Sequence, residues 1–203
     1  VEGEQGTIDQ ALERLAQSGV PNYFGPQRFG HGGANLDHAL LLHPRSLNRP
    51  AKGRGKGRGR GGRSSQDAKN VLYFSAARSW LFNEVLAERV NNGSWSQPMA
   101  GEPDEQRVTG PLWGDGGTRA TGELEQLERA VVAANPQLAA LFADTRMQPE
   151  RRPLQLIPQN LSWEWQDNAT LAIEFTLGAG QYATTLLADV FALRDLALSR
   201  LNE

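Results

Sequence analysis

Three observations predict an α+β fold. Apolar residues recur at helical spacing through the first two thirds of the chain, alternate strictly after Leu154, and lose all pattern between His43 and about Gln66. Thr7 and Gln10 form a capping box at the head of a helix carrying Ile8, Ala11, Leu12 and Leu15, with Gly19 as its stop. Asn35 caps a short helix through Leu36, Ala39 and Leu40 that ends before Pro44. The stretch from His43 to about Gln66 reads as a flexible linker. Ser75 caps the longest helix, with Ala77, Leu81, Phe82, Val85 and Leu86 on one side and Asn91-Asn92-Gly93 at its end. Residues 94–120 read as irregular.

Thr121 caps a further helix through Leu124, Leu127, Ala130 and Val131, stopped by Pro136, and a short helix surrounds Leu138, Leu141 and Phe142. The period then becomes two. Leu154–Ile157, Ser162–Trp165 and Leu171–Leu177 read as half-buried strands, with Asp167-Asn168 turning between the last two. A final helix runs from about Tyr182 to Leu198. Trp163, Trp165 and Phe175 read as packing residues, and Glu164 and Glu174 as the solvent face of the hairpin.

With 39% hydrophobic residues in 203, the chain can build a core without staples. The absence of cysteine removes disulfides and thiolate metal sites. No apolar run approaches the ~20 residues needed to span a bilayer, and the first residues form no secretory signal. A cytoplasmic location is expected.

The net charge of −2 hides an asymmetry. Nine Lys or Arg stand between Arg45 and Lys69 against one acid, Asp67, whereas twelve basic residues face twenty-two acids elsewhere. Lys52, Arg54, Lys56, Arg58, Arg60 and Arg63 alternate with glycine, a pattern that suits phosphate neutralisation on RNA better than any fold. The plain alternative is a solvated spacer. Gly57, Gly59 and Gly62 satisfy the dinucleotide-binding spacing, but no strand precedes them. His31, His38 and His43 lack metal-ligand spacing and read as surface or loop residues.

The run Val20-Pro21-Asn22-Tyr23-Phe24-Gly25-Pro26-Gln27-Arg28-Phe29-Gly30 sets aromatics, amides and a guanidinium in a loop stiffened by proline. Such a loop suits a nucleobase: rings stack on its face, amides meet its edge and an arginine meets phosphate. The same pattern also fits a core loop with two buried Phe. Tyr182-Ala183-Thr184-Thr185 opens a helix whose amides and hydroxyls either favour an anion or merely cap.

Val-Pro-Asn-Tyr-Phe-Gly-x-Gln-Arg-Phe-Gly resembles the signature of the TruD family of tRNA pseudouridine synthases. Ser75–Asn83, Gly110–Gly114, Leu161–Trp165 and Gly180–Thr185 resemble the same family in the same order, covering Gly19 to about Val190. The resemblance implies a piece of the pseudouridine synthase catalytic sheet with flanking helices, interrupted by a mainly helical insertion domain. Catalytic-domain pieces are placed at 1–47 and 158–203. The insertion is placed at 48–157, with the basic linker at 48–66.

It also implies isomerisation of a D-arm uridine of tRNA, uridine 13 in bacterial members, without cofactor or metal and by a chain that is monomeric when full length. Asn22 would position the catalytic loop, and Phe24 would pack against the uracil. Tyr23, Arg28, Arg78, Tyr182 and Thr184 would join the basic segment in contacting RNA. The family nucleophile is an aspartate that follows lysine, upstream of the Asn-Tyr-Phe-Gly loop. None of the nine aspartates here follows lysine, and only Asp9 precedes the loop. The residues from Trp95 to Gly110 also resemble a shortened version of the family sequence. The expectation is an enzyme's C-terminal part that is inactive alone, its nucleophile supplied from outside this chain. The alternatives are a non-catalytic RNA-binding module and an inactive fragment.

Overall fold

The computed structural model describes residue 1, residues 3–43 and residues 65–193, with the side chains of 65–67 excepted. Helices and small antiparallel sheets alternate in the α+β manner expected. The chain divides into two compact units, Val1–Gly25 with Gln155–Glu203, and Pro26–Leu154.

In the first unit, α1 (Gln5–Ser18) buries Ile8, Leu12 and Leu15 on one face. The expected capping box does not form. Glu4 is the N-cap, and its carbonyl accepts from Thr7 and Ile8, so the helix starts ahead of Thr7. Gly19 does stop it, at φ 63° with its N–H on Leu15 O. A Cβ there would also lie 2.4 Å from Leu156 O, so the position needs glycine twice over. Strand β1 (Val20–Pro21) then pairs antiparallel with β4 (Gln155–Leu156), and Leu15, Val20, Leu156 and Leu186 form the core.

The second unit is built around α3 (Ser65–Asn91), which α2 (Ala34–Leu40), α4 (Gly122–Ala133) and α5 (Pro136–Ala140) pack against. Helix α3 begins ten residues before the expected cap at Ser75. The buried row Asn70, Phe74, Ala77 and Leu81 continues one helical stripe through that point. Asn35 is likewise inside α2 rather than its cap, which is Gly33. Strand β2 (Thr109–Leu112) lies in the stretch read as irregular and pairs antiparallel with β3 (Glu150–Pro153). Gly110 fits close under α3: a Cβ would meet Leu154 Cδ2 at 2.6 Å and Phe82 Cε2 at 3.0 Å. The core is Phe74, Ala77, Leu81, Val85, Trp113 and Phe142 with their neighbours.

Returning to the first unit, β5 (Gln159–Trp165) and β6 (Leu171–Thr176) form the expected hairpin, Trp163 opposite Ile173 and Glu164 opposite Ala172. Glu164 and Glu174 are exposed, as alternation required. Asp167 makes the turn, Oδ1 accepting from Ala169 N at 2.8 Å and Thr170 N at 2.7 Å. The expected strand at Leu154–Ile157 is reduced to β4, because the chain passes between units after Leu154. The final helix, α6 (Ala183–Leu187), ends well before residue 193, and the expected stretch from there to Leu198 lies outside the described residues. Val190 N–H turns back to Leu187 O at 3.1 Å, which brings Val190 onto the core. No helix among the described residues is long and apolar enough to cross a membrane.

Candidate functional site

The signature loop is held by two separate devices, one in each unit. In the first, Tyr23 N–H donates to Pro21 O at 3.0 Å, a three-residue turn centred on Asn22. Asn22 is only 1% exposed, a buried amide whose polar atoms must be satisfied inside the protein. Phe24 is 8% exposed, and its ring lies 6.4 Å from that of Tyr182 at an interplanar angle of 59°. Thr185, in the first turn of α6, donates its hydroxyl to Tyr23 O at 3.3 Å. Tyr23 and Tyr182 are half-buried, while Thr184 is exposed at the same helix start. The structure therefore brings Asn22, Tyr23 and Phe24 together with the Tyr182–Thr185 turn: a buried amide, a tilted aromatic pair and a hydroxyl gripping the loop backbone.

In the second unit, Pro26–Phe29 is one 3₁₀ turn. Arg28 Nε donates to Ser79 Oγ at 3.0 Å, and Arg28 Nη2 donates to Ser75 Oγ. Asn35 Nδ2 donates to Arg28 O at 3.3 Å, and Phe29 meets Trp80 edge-on at 5.7 Å. The two α3 serines were not singled out from sequence as partners of Arg28, although their i, i+4 spacing places them on one helical face.

Arg78, also on α3, donates from Nε to Trp113 O at 2.8 Å and from Nη2 to Leu112 O at 2.8 Å and Gln148 O at 2.6 Å. It also pairs with Glu150 at 3.4 Å. Burial pushes its guanidinium below the usual arginine value, opposed by Glu150. Arginine stays charged there at any pH of interest.

The basic residues Lys52, Arg54, Lys56, Arg58, Arg60 and Arg63 lie outside the described residues. His31, His38 and His43 are exposed. Asp9, the aspartate upstream of the loop, accepts from both Trp163 Nε1 (2.9 Å) and Trp165 Nε1 (3.0 Å) through Oδ1. Nothing in the sequence pointed to this bond. Asp115 accepts the amides of Asp144 and Arg146, and Asp104 accepts Gln106 N and pairs with Arg107. With Asp167 in its turn, four of the described aspartates thus hold local structure.

The family profile described as "TruD: tRNA pseudouridine synthase D" matches residues 102–190. The chain is similar to the tRNA pseudouridine synthase D of Marinobacter nauticus, 57% identical over all of this chain and 56% of the relative. It is also similar to that of Hydrogenovibrio crunogenus, 32% identical over 96% of this chain and 59% of the relative, and of Psychrobacter arcticus, 37% identical over 90% and 52%. The chain spans little more than half the length of these curated relatives. Identity sustained across the whole chain, together with the profile match, places this chain in the TruD family of tRNA pseudouridine synthases.

Proposed function

We propose that this chain is the part of a tRNA pseudouridine synthase that walls the uridine pocket, serving isomerisation of uridine 13, with the nucleophilic aspartate supplied from outside these 203 residues. The observation that carries the reading is the Asn22–Phe24 loop gripped by Tyr182 and Thr185. A base flipped from its stack needs an apolar wall and a rigid polar edge, and this grouping has both. The engagement of Asp9, Asp104, Asp115 and Asp167 in structural bonds supports an outside nucleophile. Residues 1–47 and 158–203 would then belong to the catalytic sheet and 48–157 to an inserted domain. The basic segment, with Arg28 and Arg78, would face the tRNA of a cytoplasmic, monomeric enzyme.

The purified chain should form no pseudouridine in a single-turnover assay on tRNA, because the reaction needs a positioned carboxylate. Conversion by the chain alone would move the nucleophile onto one of its own aspartates. Replacing Arg54, Lys56, Arg58, Arg60 and Arg63 with Ser should flatten the salt dependence of tRNA binding by roughly 0.7–0.9 in log–log slope per lost phosphate contact. An unchanged slope would make this segment a spacer.

A further inference from the structure

We infer that the second unit carries a contact surface for unpaired nucleotides of RNA, where the end of α2 meets the start of α3. This rests on the RNA partner proposed for the basic segment and needs nothing from the uridine pocket. The rings of His38 and Tyr73 lie 4.8 Å apart at an interplanar angle of 32°, which sets the two helix ends side by side. His38 is exposed and Tyr73 half-buried. Leu40 and Leu41 close one helix, and Val71 and Leu72 precede Tyr73 on the other. Among the described residues of the second unit, these four are the only large apolar side chains left exposed, Leu41 to 83%. All of them fall within three residues of the ring contact. Exposed apolar side chains gathered at one place mark an interaction site.

Charge identifies the occupant. From Leu40 to Leu72 the chain carries nine Lys or Arg and a single acid, Asp67. The last of these cations, Lys69, is exposed one helical turn before Tyr73. A partner must therefore bring negative charge together with apolar area. Unpaired nucleotides do both: their bases lie flat on aromatic and aliphatic side chains while their phosphates meet cations. A duplex hides those faces and offers its phosphates alone. The ring pair also favours a nucleotide over an anionic lipid surface. Imidazole and phenol each join a flat face to a polar edge, which matches a base and not an acyl chain.

The test titrates the 203-residue chain with a labelled single-stranded oligouridylate and with an RNA duplex of equal phosphate number, across a range of salt. It is run at about pH 8, where histidine is neutral. The variants are His38→Ala, Leu41→Ser, and Leu41→Ser combined with Leu72→Ser. Single-strand affinity should fall about fivefold or more in His38→Ala and in the double variant, the low end of what one stacked base contributes. Duplex affinity and the salt slope should hold, because no cation is removed. Leu41→Ser alters the most exposed of the four and should weaken single-strand binding with an unchanged melting temperature, so its loss cannot be read as unfolding. Unchanged single-strand affinity, or equal losses on both RNAs, would overturn the inference. So would a loss confined to vesicles of phosphatidylserine and phosphatidylcholine, which would make a lipid surface the occupant, or a dimer of this chain that Leu41→Glu dissociates. If the Ser replacements in the basic segment weaken both RNAs while the patch variants weaken neither, the RNA partner stands and this surface is excluded from it.

Discussion

The two units hold themselves together in different ways. Pro26–Leu154 surrounds one long helix with aromatic and aliphatic side chains and encloses a chain of opposite charges. Arg89 pairs with Glu102 at 3.2 Å, Glu102 with Arg151 at 3.4 Å and Arg151 with Glu128 at 2.8 Å, all nearly inaccessible to water. Thr109 and Thr118 donate their hydroxyls to the two glutamates. Among the described residues, the core cluster of the other unit is Leu15, Val20, Leu156 and Leu186, and the apolar face of its hairpin is only half-buried. The elements gripping Asn22 and Phe24 thus lie in the unit with the smaller core. Local stability follows buried contacts, so that unit should open first.

The largest expected effect would sharpen this contrast. Glu128→Ala leaves Arg151 short of a buried partner and should cost about 3–5 kcal/mol. Amide exchange should quicken across α3, α4 and β2 while the β5–β6 hairpin keeps its rates; uniform loss would mean that the units do not unfold separately. Leu186→Ala, in the smaller core, should cost about 2–3 kcal/mol, toward the low end for such truncations because fewer neighbours lose contacts. A larger loss in urea denaturation would show that core to be tighter than its composition implies.

With the unmatched family portion restored, Phe24→Ala should reduce single-turnover conversion by the equivalent of about 1–3 kcal/mol of base stacking while tRNA affinity holds. A variant that only melts earlier, with a normal rate per folded molecule, would make Phe24 a core residue alone. Ser75→Ala with Ser79→Ala removes two acceptors from Arg28 and should cost about 1–2 kcal/mol, confined to the second unit.

The smallest effect concerns the hairpin turn. The amides of Ala169 and Thr170 hold the Asp167 carboxyl below its ordinary value. The stabilisation is therefore present above the unfolded carboxylate value and is lost as pH falls through the folded one. Turn amides, measured against their intrinsic exchange rates, should lose protection in acid below about pH 4, and Asp167→Asn should abolish that loss.

What could be read from sequence was whatever depends on neighbours in the chain. Alternation from Ser162 to Leu177 sets both hairpin faces correctly, and Gly19 ends α1 because only glycine suits its φ. Local signals misled where tertiary contacts take precedence. Ser75 looks like a cap but lies mid-helix, its hydroxyl taken by Arg28. Gly110-Pro111 lies in a stretch that reads as irregular, yet it is a strand in which the missing side chain of Gly110 admits α3. At the candidate site the spacing of Asn22, Tyr23 and Phe24 was legible. The Tyr182 ring beside Phe24 and the commitment of Asp9 to two indoles were not, because they join residues more than 150 positions apart. The buried charge chain of Arg89, Glu102, Arg151 and Glu128 was equally hidden.

The pairing of Val20 with Leu156 and Pro21 with Gln155 has a consequence for how such a protein changes over generations. The chain leaves the first unit just after one of these strands and returns just before the other. Everything from Pro26 to Leu154 is therefore a loop grafted onto two adjacent backbone points. Closing such a loop costs entropy that grows only logarithmically with its length, about 0.6 kcal/mol for each doubling. The grafted module can lengthen, shorten or be exchanged for another while Val20 still finds Leu156.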